Sequence, residues 1–439
     1  MKYFCFVSVC LFFCTPFLSA DTIYVDGSAA GVDPNGSSAS PYTAIQTAID
    51  NAIDDDEIVV AEGVYGENLD MMGKRITLRS TDIGDPNTVA ATIIDGGASG
   101  SVITCILGET PATVIEGFTI QNGSGDATYG SGAGIFCQDS SPVIKKCVFT
   151  DNVATGNFGG GIFVWGGTPT VIACTFRGNG AGTYGGGVAC LESDAIVTNC
   201  VFSGNDADRG GGIACYQSDT SVTNCTLSNN TSGYGGAVYC DQNIPIITNS
   251  IMWGNAAPNG SQIYAGGGAA PTVSYSVVEG GWSGNGVNNI DSDPFFIDPD
   301  EGDLHLDSFS LCINAGDPNY RGQFDIDGQK RVRYQNVDMG AYEVFPVGGD
   351  LNSDEQVDLA DLILFTSEMW LIDADLADFS LFAGQWGIGT GPIDGDLNSD
   401  DRVDMDDLLI LVADDNWLVG MDLYDFSLIA GNWLYGVNE

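Results

Sequence analysis

One phrase that recurs in four consecutive segments constrains the fold of this chain more than any other feature. Each copy joins a glycine pair to a short apolar run, a small polar turn and a second run that leads to asparagine, and the copies follow one another every 25 to 27 residues. The copies read GGGIFVWGGTPTVIACTFRGN, GGGVACLESDAIVTNCVFSGN, GGGIACYQSDTSVTNCTLSNN and GGAVYCDQNIPIITNSIMWGN, and an earlier relative reads GAGIFCQDSSPVIKKCVFTDN. Repeats of this fixed period are typical of a solenoid, in which each repeat packs against its neighbours.

Stacking of the copies places equivalent residues in ladders along the solenoid axis. Each copy predicts one strand at the Gly-Gly-Ile/Val run, a turn, a second strand that ends in Cys-x-Phe, and an asparagine turn. Parallel strands of successive copies would lie ~4.8 Å apart. The predicted ladders are Cys137-Val164-Cys190-Cys215-Cys240, Cys147-Cys174-Cys200-Cys225-Ser250, Phe149-Phe176-Phe202-Leu227-Met252 and Asn152-Asn179-Asn205-Asn230-Asn255.

The two cysteine ladders are predicted to point into the core. Val164 occupies a cysteine position in one of them, and a free cysteine behaves as a small apolar residue. Neighbouring rungs also fall within the Cα separations of a disulfide, about 4.4 to 6.8 Å. Buried thiols and disulfides between rungs therefore both fit the sequence, whereas no C-x-x-C pair or nearby histidine supports a metal site on these sulfurs.

The first 20 residues have the composition of a secretory signal. Lys2 precedes an apolar run from Tyr3 to Phe17, and Leu18-Ser19-Ala20 supplies the small residues of a cleavage site. No later apolar stretch approaches the roughly 20 residues that a membrane-spanning helix needs. We therefore expect a protein with no transmembrane segment that is secreted or held at the cell surface.

The net charge of the chain limits the classes of partner that it can bind. Acidic residues number 59 against 13 basic ones, and the formal net charge is −46. Such a chain repels phosphate backbones, which excludes electrostatic capture of nucleic acid and disfavours binding to anionic membranes. Cations are its natural counterparts.

The repeats resemble those of the right-handed parallel β-helix proteins of the pectin-lyase-like superfamily. Their FxxN phrases, such as Phe149 to Asn152, also look like the repeats of polymorphic outer-membrane proteins. The resemblance implies an all-β right-handed parallel β-helix over residues 21–345. Apolar residues at helical spacing between Tyr42 and Ile53 predict an amphipathic helix that caps its N-terminal end.

Two acidic loops after residue 346 have the spacing of calcium ligands. The stretches GDLNSDEQVDLADLILF and GDLNSDDRVDMDDLLIL start 46 residues apart and carry oxygen side chains at loop positions 1, 3, 5, 9 and 12, with a backbone carbonyl at position 7. The predicted ligands are Asp350, Asn352, Asp354, Gln356, Asp358 and Asp361 in the first loop and Asp396, Asn398, Asp400, Arg402, Asp404 and Asp407 in the second.

These loops depart from the usual EF-hand at two positions. Glu355 and Asp401 replace the glycine at position 6, and aspartate replaces glutamate at position 12. Aspartate at position 12 followed by leucine, in paired loop-helix units, resembles type I dockerin modules. The resemblance implies a small α-helical domain over residues 346–439, with calcium as its cofactor and a cohesin-like protein as its partner.

Catalytic candidates are few in this sequence. His305 is the only histidine, so a Ser-His-Asp triad or a histidine-ligated zinc site would have to include it, and its strand-like context favours a structural role. Carboxylates on stacked turns remain as candidates. They could raise one another's pKa or bind a cation, and either would serve glycoside cleavage or calcium-assisted elimination; the alternative is that they are simply solvated. The candidates are Asp194, Asp219 and Glu192.

The residue before each glycine pair forms a more specific surface pattern. Phe158, Tyr184, Arg209 and Tyr234 fall on successive coils, which places a guanidinium between two tyrosine rings. Aromatic faces suit the flat faces of sugars and an arginine suits a uronate carboxylate, although stacking of these side chains on one another explains the pattern equally well.

The sequence therefore predicts a secreted, polysaccharide-associated β-helix protein that is assembled onto a partner through its dockerin-like module. Glycan binding and glycan degradation, by a polysaccharide lyase or a glycoside hydrolase, both remain open. The alternative is a surface or adhesion protein without catalytic activity, in which the solenoid is a spacer.

Overall fold

The computed structural model describes residues 20–30, 33–320, 322, 324–331 and 336–344. The predicted signal segment up to residue 19 and the whole predicted dockerin-like domain lie outside these residues, so both stay predictions. The described residues fall into two compact units. Of the described residues, the first unit contains those up to Ser221 with Ser228–Pro245 and Asn255–Pro271. The second contains Val222–Leu227, Ile246–Gly254 and the described residues from Thr272 to Val344.

The first unit is a parallel β-solenoid in which each coil contributes one strand to each of several long sheets. We name its main sheets A, B and C, and a shorter one sheet D. Within this unit, the strands of sheet A are Thr22–Val25, Glu57–Val60, Thr77–Ser80, Val114–Glu116, Val143–Lys145, Thr170–Ile172 and Ile196–Thr198. The strands of sheet B are Leu69–Asp70, Ile103–Cys105, Ile135–Gln138, Ile162–Trp165, Val188–Leu191, Ile213–Tyr216, Val238–Asp241 and Ile263–Gly266.

Sheets C and D are the other two sheets, and sheet D has strands in four coils only. Within the first unit, the strands of sheet C are Gly63–Tyr65, Thr92–Asp95, Thr119–Gln121, Val148–Thr150, Thr175–Arg177 and Val201–Ser203. The strands of sheet D are Val153–Ala154, Gly180–Ala181, Asp206–Arg209 and Thr231–Tyr234. Sheet B has eight strands, so the solenoid has about eight turns.

The second unit contains parallel strands of the same kind and one antiparallel hairpin. The parallel strands at its boundary and within it are Ser221–Thr223, Thr226–Ser228, Ile246–Thr248, Ile251–Trp253, Thr272–Ser274 and Val277–Val278. The hairpin pairs Phe296–Asp298 with Asp303–Leu306. Beyond it, the Arg331 Nη1 atom donates a hydrogen bond to Glu343 Oε1 at 2.6 Å, with both side chains almost fully buried. This ion pair holds the last described segment together.

Each coil that carries a cysteine of the Cys147–Cys225 ladder bends sharply just before that cysteine. This bend corrects the prediction of two strands per repeat. Ala173 and Asn199, which precede Cys174 and Cys200, have φ angles of 51° and 54°. A left-handed residue ends one strand and turns the chain, because it breaks the extended conformation. The predicted second strand is therefore two strands, one in sheet A and one in sheet C.

Helices are few in the described chain, and they are Ile45–Asn51 and Pro86–Ala91. The first lies within the predicted range and buries Ile45, Ala48 and Ile49. The Glu67 carboxylate accepts hydrogen bonds from the Ile45 and Gln46 amides at 2.8 and 2.9 Å, which satisfies donors that a helix N-terminus leaves open. That this helix caps the solenoid stays a prediction.

The predicted ladders of the first unit lie in register in its core. The Phe149, Phe176 and Phe202 rings stack with centroids 4.7 and 4.6 Å apart. Cys137, Val164 and Cys190 pair on adjacent strands of sheet B, as expected for a buried apolar position. Several ladder cysteines are buried as free thiols, namely Cys105, Cys137, Cys147, Cys174, Cys190, Cys215 and Cys240.

Candidate functional site

The residues before the glycine pairs form one continuous row, as the sequence predicts. Phe158, Tyr184, Arg209 and Tyr234 occupy equivalent positions on consecutive coils. Each lies where the chain passes toward sheet B, and the glycine that follows has a φ angle of 62° to 67°. Glycine adopts this left-handed turn without strain, and the turn places the preceding side chain beside sheet B.

The outward-facing row of sheet B lies beneath these side chains. Its positions are Phe136, Phe163, Ala189, Ala214, Tyr239 and Tyr264, in register from coil to coil. Phe158 and Tyr184 pack against the start of this row, which is why Phe163 and Ala189 are buried although they face away from the solenoid core. The two alanines leave room for the side chains of Tyr184 and Arg209, which belong to the same coils.

Arg209 lies among three tyrosine rings. Its Cζ atom is 5.1 Å from the centroid of Tyr184, 5.8 Å from that of Tyr239 and 5.9 Å from that of Tyr234. Its Nη1 atom donates a hydrogen bond to Tyr184 Oη, and its Nε atom lies 3.6 Å from Asp208 Oδ2. The side chain keeps 35% of its surface exposed, so the cluster holds a fixed cation that solvent can still reach.

The electrostatics of the cluster keep Arg209 charged and Tyr239 neutral. Partial burial opposes the charge on Arg209, but attraction to Tyr184 and the hydrogen bond with it outweigh burial and raise the pKa of Arg209. Burial, and then the hydrogen bond to Asp241, raise the pKa of Tyr239. The Tyr239 Oη atom donates that hydrogen bond to Asp241 Oδ2 at 3.0 Å, so Arg209 is the cation of this face and Asp208 and Asp241 are the acids beside it.

The aromatic surface continues beyond the four predicted residues. Tyr264 stacks on Tyr239 with centroids 5.5 Å apart, and Phe158 stacks on Tyr184 at 5.1 Å. We call this surface, from Phe158 through Arg209 to Tyr264, the aromatic face. Sequence reasoning missed Tyr239 and Tyr264; their spacing of 25 residues in equivalent strands was the signal that could have found them.

The candidate acids lie elsewhere, on the turns between sheets B and A. Asp194 Oδ1 accepts a hydrogen bond from the Asp219 amide at 3.0 Å, and Asp219 Oδ1 accepts one from the Ile244 amide at 2.7 Å. Glu192 is exposed and has a φ angle of 50°. Asp194 and Asp219 thus join successive turns, and a catalytic role for these acids stays a prediction.

His305 lies in the second unit and is held by two carboxylates. Its Nδ1 atom is 2.5 Å from Asp303 Oδ1, its Nε2 atom is 2.7 Å from Asp327 Oδ2, and its ring lies on that of Tyr342. The hydrogen bond with Asp327 is the largest cause that raises the pKa of His305, to about 9. These contacts join the hairpin to the segment that carries Asp327, so His305 has a structural role.

Within the described residues, no group of three or more His, Cys, Asp or Glu side chains is arranged to hold a metal ion. The predicted calcium ligands, from Asp350 to Asp407, lie outside those residues. In the same described part, no helix is long and apolar enough to cross a membrane.

Comparison with known proteins supports the architecture. Residues 104–294 match the family model described as "Right handed beta helix region". No curated protein matches the chain significantly.

Solved structures of low similarity include three pectin-acting enzymes. Pectate lyase Pel9A is 12% identical, with 75% of this chain and 98% of that chain covered and a TM-score of 0.37. Pectin methylesterase PemA from Erwinia chrysanthemi is 13% identical, with coverage of 61% and 80% and a TM-score of 0.34. Pectin methylesterase from carrot is 13% identical, with coverage of 62% and 88% and a TM-score of 0.32. The family match and the sheet registers together show that the described residues form a parallel β-solenoid of about eight turns.

Proposed function

We propose that the protein binds a polysaccharide along the aromatic face and that this face takes a sugar unit carrying a carboxylate. The observation that carries the proposal is the Arg209 guanidinium, held among Tyr184, Tyr234 and Tyr239 and still open to solvent. Aromatic rings offer large, rigid surfaces for the apolar faces of sugars, and a guanidinium pairs with a carboxylate through two parallel hydrogen bonds.

Arg209 is also the feature that sets the selectivity of the face. The chain carries a formal charge of −46, so an acidic sugar chain is repelled by most of its surface. The fixed positive charge on the aromatic face offsets this repulsion locally. Binding should therefore strengthen with moderate salt that screens the overall repulsion, and weaken at higher salt once the arginine–carboxylate pair is screened.

Binding explains the face better than catalysis does. The acids next to the cluster are engaged: Asp208 lies near Arg209, and Asp241 accepts the Tyr239 hydroxyl. Glycoside hydrolysis would need a pair of carboxyl groups across one sugar bond, and elimination by a lyase would need an unengaged base next to the uronate. A solenoid that acts only as a spacer would need no accessible cation at all. Degradation and a spacer role are the two alternatives to glycan binding.

We propose further that the protein is exported and is assembled onto a cohesin-like partner by its dockerin-like module. The support is the signal-like start of the chain and the calcium-ligand spacing of the two loops that begin at Asp350 and Asp396. Calcium would hold the loops by neutralising their carboxylates, and the solenoid would then be the part presented to a glycan.

Affinity electrophoresis of the full chain in gels containing polygalacturonate or a neutral glucan tests the binding proposal. We expect polygalacturonate to retard the protein, and the Arg209→Ala variant to lose about tenfold or more in affinity, because it removes the one cation of the face. Tyr184→Ala should lose a similar amount, since it removes both the ring and the hydrogen bond that orients Arg209.

Tyr24→Ala is the matched control, because Tyr24 is an exposed tyrosine on sheet A, away from the aromatic face. Equal retardation of wild type, Arg209→Ala and Tyr24→Ala would contradict the proposal. Release of reducing ends or unsaturated products from the polysaccharide during the same incubation would instead favour an enzyme.

A further inference from the structure

An open polar depression of about 570 Å³ lies on the first unit, beside the loop formed by residues 123–132. Its walls carry hydroxyl groups, glycine backbone and one aromatic ring. The residues that matter for ligand chemistry are Ser99, Ser124, Asp126, Tyr129 and Thr155. No basic side chain lines it, and Asp126 supplies the only charge.

The loop holds Tyr129 in a fixed position. Asp126 Oδ2 accepts hydrogen bonds from the Thr128 and Tyr129 amides at 2.8 and 3.0 Å, and Asp126 Oδ1 accepts one from the Ser131 amide at 3.0 Å. A Cβ atom at Gly156 would lie 1.9 Å from the Tyr129 carbonyl oxygen, so only glycine permits this approach. The ring is therefore presented by a rigid support, which lowers the entropy cost of binding.

Tyr129 connects the depression to the aromatic face. Half of its surface is exposed, and its ring meets Trp165 edge-on with centroids 5.8 Å apart. Trp165 packs against the buried Phe136–Phe163–Ala189 cluster, on which Phe158 also packs. The surface from Tyr129 to Arg209 is thus lined by aromatic rings. These rings either contact one another or pack against the Phe136–Phe163–Ala189 cluster.

The coil register gives the distance between the depression and Arg209. The Gly132 amide donates a hydrogen bond to the Phe158 carbonyl at 2.9 Å, so the loop lies one coil before Phe158 and three coils before Arg209. At ~4.8 Å per coil, three coils span roughly 14 Å. An oligosaccharide, and not a single sugar, is needed to reach both positions.

We propose that the depression is a subsite for a neutral sugar unit of the same polysaccharide whose acidic unit is held at Arg209. This inference rests on the proposed function. Hydroxyl and backbone groups can exchange hydrogen bonds with sugar hydroxyls, the Tyr129 ring offers a stacking surface, and the Asp126 carboxylate disfavours an acidic unit. The ligand is then a mixed glycan in which neutral and uronate units lie roughly three coil spacings apart.

Fragments of glucuronoxylan, which contain neutral xylose and glucuronate units, are suitable probes when sorted by length and titrated into the full chain by calorimetry. We expect long fragments to bind at least tenfold more tightly than short ones. Tyr129→Ala should lower the affinity for long fragments to that for short ones and leave short fragments unchanged. Tyr129→Phe keeps the ring and should keep most of the affinity, whereas Arg209→Ala should weaken binding of both lengths.

The outcomes separate this inference from the proposed function. If Tyr129→Ala binds long fragments as wild type does while Arg209→Ala weakens them, the subsite is overturned and the aromatic face stands. If no fragment of any length binds wild type, both ideas fail. A variant that unfolds at the same temperature as wild type is correctly folded, so an unchanged unfolding temperature excludes misfolding as the cause. Tyr24→Ala serves as the exposed-tyrosine control.

Discussion

At the scale of single residues, the asparagine ladder shows how one side chain joins neighbouring coils. Asn205 is fully buried, and its Oδ1 atom accepts hydrogen bonds from the amide and the side chain of Asn179, both at 3.0 Å. Its Nδ2 atom donates to the Phe176 carbonyl at 3.0 Å and to Asn230 Oδ1 at 2.9 Å. The side-chain amide of each asparagine therefore hydrogen-bonds to polar groups on the coil before it and on the coil after it.

Asn205→Ala should destabilise the solenoid strongly. It leaves buried donors and acceptors without partners, and each such group costs about 1–3 kcal/mol, so we expect a loss of about 3 kcal/mol or more in the free energy of unfolding. Denaturant titration measures it. Asn157→Ala, at an exposed position with a single side-chain hydrogen bond from Thr183, should stay within about 0.5 kcal/mol of wild type. Equal effects of the two variants would contradict the ladder.

His305 should make stability depend on pH. Its pKa is raised from 6.5 to about 9 by Asp327 and Asp303, so the folded protein binds this proton more tightly than the unfolded chain does. The stabilisation is complete below pH 6.5 and is lost as the pH rises through about 9. The side chain is 41% exposed, so solvent screening keeps the effect small.

The comparison with His305→Gln isolates this contribution from the other titrating groups. We expect the difference in unfolding free energy between wild type and variant to shrink between pH 6.5 and pH 10, measured by denaturant titration at each pH. A difference that is constant or grows across that interval would show that the histidine is not charged in the folded state.

At the scale of structural elements, the repeat predicts the ladders but not the corners of each coil. The Cys-x-Phe phrase fixes which residues share a rung because parallel strands stack without a shift. The bend before each cysteine depends on single left-handed residues, such as Ala173 and Asn199, which have little in common as residue types. The residue pattern of each repeat therefore predicts one strand where the chain forms two.

The same limit applies to the candidate site. The row of Tyr184, Arg209 and Tyr234 follows from register alone and was predictable. The 25-residue spacing of Tyr239 and Tyr264 indicates that they share a row, but the position of Tyr239 beside Arg209 depends on how far the long side chains reach across sheet B. Tyr129 lies on a loop outside the repeat, so only three-dimensional packing reveals its contact with Trp165.

The cysteine ladders predict unreactive thiols in the folded protein. Burial raises the pKa of Cys215 to about 12, and Cys190 is raised in the same direction. The thiolate is the reactive form, so iodoacetamide at pH 8 should leave both residues unmodified in native protein and label both after denaturation. Peptide mass spectrometry distinguishes the states. Disulfide-linked peptides from neighbouring rungs, or rapid labelling of native protein, would contradict buried thiols.

At the scale of the whole molecule, the sequence divides the chain into a solenoid and a calcium-binding segment. The full chain should bind two calcium ions and gain helicity, because the ligands of each loop repel one another until a cation neutralises them. Calorimetry and circular dichroism measure both effects. Replacing the first ligand of each loop, Asp350→Ala with Asp396→Ala, should abolish them. Binding that survives in this double variant would contradict the predicted loops.

The central claim is that the solenoid presents a polysaccharide-binding face built around Arg209. The most direct test is a crystal structure of the protein soaked with an acidic oligosaccharide. We predict sugar rings stacked over Tyr184 and Tyr234, with a carboxylate on the Arg209 guanidinium. An oligosaccharide bound instead between the turns of Asp194 and Asp219, with the aromatic face empty, would contradict the account.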